Sequence, residues 1–302
     1  MSSSSPSGAT GLVEELLDAL ARWVPALLPD PARAGAIVQA CRAAGAQLDP
    51  AVEPSDAVAL IERAAQVHSR HLLLFVDPSG SRTPDTEDRG WPPPDLRAVR
   101  RRAGGVRSVD RADNGIATIR VDSLEPFDVA EPYLEAAVAL AARATGVILD
   151  LRANGGGDPA TVAYLAGFVL GPQPRTLSEV HHRDGVTSWS TAGPAGGCLA
   201  GDVPVAVLTS DATFSSAEAL AYHLQVRGRV SVVGAATPGA ADHVTPFTLT
   251  PHVHAQLPVA SVVDTETGAS WEGVGVRPDL ACPAADAPSR ASEWIRHRLA
   301  AG

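Results

Sequence analysis

GVILDLRANGGG at residues 146–157 and TFSSAEALAYHLQV at residues 213–226 are the two stretches that decide the fold. The first is a nearly continuous apolar run, typical of a strand that is buried on both faces, and it ends in glycines. The second places Ser215 at a strand-to-helix turn. Consecutive glycines let backbone amides approach a ligand, and the first amides of a helix attract a developing anion.

Each stretch also has an ordinary structural interpretation. A glycine-rich sequence after a strand is a common tight turn, and no Gly-Lys-Ser/Thr follows it, so it is not a P-loop. Ser215 and Glu218 are spaced as a capping box, in which the serine caps the helix without any chemical role. Taken singly, neither stretch establishes a function.

Strands and helices alternate around these stretches. This alternation predicts an α/β fold with a layered core. The predicted strands cover 115–121, 146–152, 203–208 and 230–234, and the predicted helices cover 132–144, 161–170 and 216–227.

The N-terminal part differs from the core in composition and in its hydrophobic pattern. Residues 1–11 are rich in Ser, Gly and Pro and predict a disordered tail, and residues 12–76 predict a small helical domain that ends in a short strand. Residues 77–105 read DPSGSRTPDTEDRGWPPP and onward, which predicts a linker or long loop. A folded insert such as a PDZ domain needs about 50 residues or more, so this segment is too short to contain one. The predicted core is 106–302.

Composition excludes several classes of protein. The formal net charge of −10 argues against a nucleic-acid partner. The sequence contains no signal-peptide pattern and no apolar run long enough for a membrane span, and its three cysteines form no Cys-x-x-Cys pair. We therefore expect a cytoplasmic protein with no metal and no cofactor, and the sequence leaves homo-oligomerisation open. Lysine is absent, so no mechanism can use a catalytic lysine.

The two stretches occur in the order found in the S41 (tail-specific or C-terminal processing) serine peptidases, and together they resemble the core of that family. WEGVGVRPD at residues 271–279 is similar to a further element near the end of that core. IATIRVDS at 116–123 and the N-terminal helices are similar to the interphotoreceptor retinoid-binding protein-like subgroup. The resemblance implies a ClpP/crotonase-like ββα core with a small helical N-terminal domain and no PDZ insert.

The resemblance also implies roles for particular residues. Ser215 corresponds to the nucleophile, and the amide of Ser216 with one amide from the Gly156–Gly157 turn would form the oxyanion hole. Many family members use a serine–lysine pair, with the lysine in a T-x-G-K-G element. Here Ala240 occupies the lysine position, so that pair cannot exist.

Tricorn-like family members instead use a histidine from the helical domain as the base, oriented through a serine and a glutamate. His71 and Glu272 lie at the corresponding positions, but Arg70 stands where the serine should precede the histidine. Ser69, or Glu272 directly, are alternative orienting groups. Both residues also have ordinary interpretations: His71 as a polar residue at a domain boundary, and Glu272 as a surface carboxylate.

Two functions follow from these residues. The first is a serine peptidase that cleaves a peptide substrate by acyl transfer through Ser215. The alternative is a catalytically divergent relative that binds or cyclises a hydrophobic small molecule, which the missing lysine and Arg70 favour.

Overall fold

The structure is a computed structural model that describes residues 9–49, 51–191, 193 and 197–301. The chain divides into two compact units. The first comprises Met1–Pro92, Val180–Val186 and Asp242–Val262, and the second comprises Pro93–Glu179, Thr187–Ala241 and Val263–Gly302.

The described chain contains three N-terminal helices followed by strands interspersed with single helices. The helices are α1 (Ala9–Leu27), α2 (Pro31–Gly45), α3 (Pro54–Gln66), α4 (Leu96–Arg101), α5 (Phe127–Ala141), α6 (Pro159–Leu170), α7 (Ser216–Val226) and α8 (Ala287–Ala301). The strands are β1 (Leu73–Val76), β2 (Val106–Arg111), β3 (Ile116–Val121), β4 (Gly146–Asp150), β5 (Thr176–His181), β6 (Val186–Ser190), β7 (Val205–Thr209), β8 (Ser231–Gly234), β9 (His243–Thr250), β10 (Val253–Asp264) and β11 (Leu280–Ala281).

The helical part of the first unit consists of α1, α2 and α3. Asp30 ends the turn after α1 and caps α2, because its carboxylate accepts the Arg33 amide at 3.0 Å. The helix α1 begins at Ala9, so residues 9–11 of the predicted tail are helical. Residues 1–8 of that tail lie outside the described residues.

Helices α1 to α3 bury one common core against β1 and the β9–β10 hairpin. The strand β10 pairs antiparallel with both β1 and β9. The three helices contribute the fully buried Leu16, Leu20, Ile37 and Ile61 to a cluster that also holds Phe247 and Leu257 from the hairpin. The spacing of these residues on each helix matches one face, so the apolar periodicity of the sequence is what packs the unit.

The second unit is built on a six-stranded sheet in the order β11-β8-β7-β4-β3-β2. All its neighbours are parallel except β2 and β3. In β4, Val147 and Leu149 face a cluster with α5, α6 and α7, whereas Ile148 faces α8 on the opposite side. A strand covered on both faces needs apolar residues at every position, which is why the sequence of β4 does not alternate.

The segment 77–105, predicted as a linker or long loop, contains turns and irregular chain, the short α4 and a single 3₁₀ turn at Ala103–Gly105. In the first unit its early part runs beside β9: the Asp85 amide donates to Thr248 O at 2.9 Å, and Trp91 Nε1 donates to Val244 O at 2.9 Å. The loop therefore satisfies part of the edge of β9, a position that would otherwise expose unpaired backbone groups.

One predicted helix has the wrong start. The sequence places it from Pro132, but α5 begins at Phe127 because Asp158 Oδ2 accepts the Phe127 amide at 2.8 Å. Pro132 lies inside the helix and has no amide hydrogen to donate to the carbonyl four residues earlier. Among the described residues, none of the helices combines the length and apolar character that crossing a bilayer requires.

Ile61 and Leu60 provide a matched test of this packing, because they are neighbours on α3 with opposite exposure: Ile61 is 0% and Leu60 39% exposed. We expect Ile61→Ala to lower the free energy of unfolding by about 2–5 kcal/mol, through lost burial and the cavity left behind. Leu60→Ala should change it by less than about 1 kcal/mol. Urea unfolding followed by circular dichroism measures both, and equal losses would contradict the packing described.

Candidate active site

Ser215 occupies a strained turn between β7 and α7. Its backbone has φ 54° and ψ −125°, and it is one of two non-glycine residues with positive φ in the described chain. Such a conformation is costly for a residue with a Cβ and persists only where surrounding contacts impose it. The turn holds Ser215, which is half-buried, at the N-terminus of α7.

The glycine turn approaches this serine closely. A Cβ added to Gly156, whose φ is +97°, would lie 2.8 Å from Ser215 Cβ and 3.0 Å from the Ser216 nitrogen. Distances this short exclude any side chain at position 156. The two stretches that stood out in the sequence therefore meet at the serine.

Hydrogen bonds join the serine turn to the segment that follows β4. They run from Thr213 Oγ1 to Leu151 O (2.9 Å), from the Phe214 amide to Asn154 O (3.0 Å) and from Ser216 Oγ to Gly157 O (2.7 Å). Both turns lie at the carboxyl ends of adjacent parallel strands, which is where open α/β sheets place their sites.

Asn154 decides which amides of the glycine turn remain available. Its side chain is fully buried, donates to Val121 O at 2.9 Å and accepts the Gly156 amide at 2.8 Å. Within the described parts of the chain, the amides of Gly157 and Ser216 donate to no protein acceptor. The predicted oxyanion hole thus has two available donors, and the Gly156 amide is not one of them.

The buried carboxylate of Glu218 fixes the serine turn from the other side. Its Oε2 accepts the amides of Ser215 (2.8 Å) and Ala240 (2.9 Å), and its Oε1 accepts the Gly239 amide (2.7 Å) and the Thr237 hydroxyl (2.6 Å). Burial raises the pKa of Glu218, and these four hydrogen bonds offset part of the rise. Beyond the capping box seen in the sequence, Glu218 clamps two loops together.

Ala240 and Glu272 belong to the same network. Ala240, at the position of the family lysine, is buried and shares its carboxylate acceptor with the Ser215 amide. The next amide, from Ala241, donates to Glu272 Oε2 at 2.6 Å. Glu272 therefore holds the loop that follows Gly239, and within the second unit it is linked to the serine turn through that loop.

His71 lies in the first unit and is buried, with 6% of its surface exposed. Its Nδ1 is 2.5 Å from the backbone oxygen of Asp242. Burial lowers the pKa of His71 to about 4, which the Asp242 hydrogen bond opposes and the nearby His243 reinforces. The imidazole is therefore neutral at pH 7 and has a proton-accepting nitrogen.

His223, which the sequence places on the helix after Ser215, is a structural residue. It is buried and its Nδ1 is 2.7 Å from Asp264 Oδ2, which also accepts Arg227 Nη1 at 2.7 Å. Burial lowers the pKa of His223, and Asp264 opposes that shift. It lies eight residues beyond Ser215 on α7, about 12 Å along the helix axis, too far to act as its base.

The profile of Peptidase family S41 matches residues 115–282, more than half of the chain. The chain belongs to peptidase family S41. The match spans the glycine turn, Ser215, Glu218 and Glu272, and it leaves out the helices α1 to α3 and His71.

Solved structures share the fold over nearly the whole chain. A candidate peptidase from Parabacteroides merdae is 16% identical with a TM-score of 0.64, covering 96% of this chain and 98% of its own. A lipoprotein from Streptococcus agalactiae is 17% identical with a TM-score of 0.58, covering 98% and 99%. The photosystem II D1 C-terminal processing protease is 15% identical with a TM-score of 0.54, covering 94% and 96%. Because the sequence identities are this low, the comparison shows that the fold is shared and nothing more.

Some residues that shape the candidate site were not predicted from the sequence. Asn154 and Thr237 make the contacts that shape the two loops, yet a lone Asn before glycines and a Thr before proline are ordinary turn residues. No sequence pattern marked Asp242 as a site residue, because the residues it contacts are distant in sequence. Among the described residues, no group of three or more His, Cys, Asp and Glu side chains is arranged to hold a metal ion.

Glu218→Gln tests the clamp. Four donors point at the carboxylate, and an amide would turn its own N–H₂ group toward two of them. We expect the free energy of unfolding to fall by about 2–5 kcal/mol in denaturant titrations, since buried donors lose their acceptor. The control is Glu266→Gln, which changes an exposed residue of the same unit and should leave stability unchanged. A loss no larger than in the control would show that Glu218 is not a clamp.

The low pKa of His71 predicts a pH dependence of stability. Between about pH 4 and pH 6.5 the unfolded chain binds a proton at His71 and the folded protein does not, so stability rises with pH across this window. From pH 7 to pH 4 the histidine should remove up to about 3 kcal/mol of unfolding free energy. His71→Gln should flatten the pH profile relative to wild type and to His68→Gln. Parallel profiles in all three proteins would contradict the assignment.

Proposed function

We propose that this S41 family member is a serine peptidase with Ser215 as its nucleophile. Ser215 Oγ attacks the carbonyl carbon of the scissile peptide bond, and the carbonyl π electrons move to oxygen. The Ser216 and Gly157 amides stabilise that oxyanion. His71 Nε2 takes the serine proton and passes it to the leaving amine as the C–N bond breaks. Water then hydrolyses the acyl-enzyme by the same route.

The observation that carries this proposal is the strained backbone of Ser215 beside the Gly157 and Ser216 amides, which have no acceptor among the described residues. A serine that served only as a helix cap has no need of positive φ, nor of a glycine held against its Cβ. The N-terminus of α7 adds the positive end of its dipole at the same point. In acyl transfer, preorganised amides aimed at the developing charge contribute most of the stabilisation of the transition state.

His71 is the base that suits a chain without lysine. Ala240 offers no proton acceptor, and His223 lies too far along α7. A serine hydroxyl needs a base to become a competent nucleophile, and a neutral histidine is the usual one. Glu272 is bound to the Ala241 amide, so we assign it to loop positioning next to the site.

The substrate class that fits the family is a peptide. The resemblance of the N-terminal helices to the interphotoreceptor retinoid-binding protein-like subgroup stays a prediction from sequence, as does the cytoplasmic location.

The alternative function, binding or cyclising a hydrophobic small molecule, has one supporting observation. A half-open groove of about 330 Å³ lies between α1 and the residues that follow α2, and Val13, Leu17, Leu48 and Val52 line it. This volume is at the lower end for ligand pockets. Glu14, Arg42 and Asp49 also line the groove. Because the groove is half open and carries these charges, the peptidase function is the stronger proposal.

A fluorophosphonate probe tests the nucleophile. We expect covalent labelling of the full-length protein and its loss in Ser215→Ala, because the probe reacts only with an activated serine. Ser190→Ala, which alters an exposed serine of the same unit, should label like wild type. Intact-protein mass spectrometry measures the adduct. A folded wild type that resists the probe, or a Ser215→Ala protein that still reacts, would refute the proposal and direct attention to apolar ligands.

A further inference from the structure

Asp242 is a buried carboxylate on which several separate segments of the first unit converge. Its side chain is 1% exposed and forms an ion pair with Arg33 Nη2 at 2.9 Å. Ser69 Oγ donates to its Oδ2 at 3.2 Å, and the same Arg33 nitrogen donates to Ser261 Oγ at 3.1 Å. The residue joins α2, the turn before β1 and the start of β9, with β10 linked through Arg33.

The backbone oxygen of Asp242 decides the tautomer of His71. A carbonyl oxygen can only accept a hydrogen bond, and His71 Nδ1 lies 2.5 Å from it. The proton of the neutral ring must therefore reside on Nδ1. This leaves Nε2 with its lone pair, which is the form that can accept a proton from a hydroxyl group.

The side chain of Asp242 holds that backbone oxygen in place. Arg33 contacts both carboxylate oxygens, and Ser69, two residues before His71, donates to Oδ2. The ion pair and the Ser69 hydrogen bond together restrain both ends of the Nδ1 hydrogen bond. Arg33 is itself fixed on α2, whose N-terminus Asp30 caps. Removing the Arg33 guanidinium would leave a buried carboxylate uncompensated beside the carbonyl that orients His71.

We propose that Asp242 is the positioning residue of His71, with its backbone carbonyl selecting the Nδ1–H tautomer and its carboxylate, clamped by Arg33, fixing that carbonyl. The proposal rests on the proposed role of His71 as the general base. It replaces the serine–glutamate relay expected from the resemblance with a backbone carbonyl and an ion pair. Because a carbonyl carries no net charge, it orients the ring without favouring the imidazolium as strongly as a carboxylate does.

Nitrogen-15 NMR of the full chain, labelled at histidine, reads the tautomer directly. The His71 signals are assigned by their loss in His71→Gln. We expect a protonated, pyrrole-type Nδ1 and a pyridine-type Nε2 in the wild type at pH 7. Arg33→Met should produce a mixture of tautomers. The control Arg82→Met removes the exposed ion pair to Asp77 in the same unit and should leave the spectrum unchanged.

Kinetics with a peptide substrate provide the second readout. Arg33→Met should lower kcat by about 10- to 100-fold, the cost of a small misplacement of a catalytic group, with KM changed by less than about twofold. Arg33→Lys, which restores a cation, should recover part of kcat. Arg82→Met should match wild type. If Arg33→Met does not fold, Ser69→Ala is measured instead, with the same expected direction.

The outcomes separate this inference from the proposed function. A pyridine-type Nδ1 in the wild type, or equal spectra and rates in the Arg33 and Arg82 variants, would overturn the role of Asp242 even if Ser215 is labelled. If the wild type has no hydrolytic activity but its tautomer depends on Arg33, the orientation of His71 by Asp242 stands and the peptidase proposal fails.

Discussion

The four hydrogen bonds to Glu218 are the constraint on which the candidate site depends. A carboxylate buried at the start of α7 is costly unless every lone pair finds a donor, and here the donors come from two loops that follow β7 and β8. Satisfying that one side chain fixes the Ser215 turn and the loop at Ala240 together. The strained backbone at Ser215 is held because leaving it would leave buried polar groups without partners.

In each unit a buried carboxylate that takes no part in the proposed reaction holds several segments together by hydrogen bonds. Glu218 shapes the serine turn, and Asp242 holds the segments around His71. In both cases the carboxylate is surrounded by backbone or side-chain donors rather than by solvent. Such networks are stable only when they are complete, so they impose one geometry on the residues beside them. Ser215 and His71, the groups that we propose to react, are thus positioned by neighbours that look like ordinary structural polar residues.

The missing lysine changes how the family chemistry has to be carried out. With Ala240 at its position, the loop near Ser215 carries a methyl group where a cation would otherwise stand, and its amide is used to satisfy Glu218. The proposed chemistry then needs a base other than lysine. We propose His71 for this role because desolvation keeps its imidazole neutral and its Nδ1 lies against the backbone oxygen of Asp242.

The sequence by itself determined the α/β alternation, the buried strand β4, the helix α7 with Ser215 before it, and the exclusion of a lysine mechanism. These features are local, because apolar runs, helix periodicity and consecutive glycines each determine backbone structure from residues that are close in sequence. The predicted start of α5 was wrong because Asp158, whose carboxylate accepts the first amide of the helix, comes from a distant segment. Only the tertiary structure decided that the Gly156 amide is bound by Asn154, that Glu218 binds the Ala240 loop, and that Asp242 contacts His71 across 171 residues of sequence. Such pairs leave no pattern in the chain, because long-range packing alone brings a donor to its acceptor.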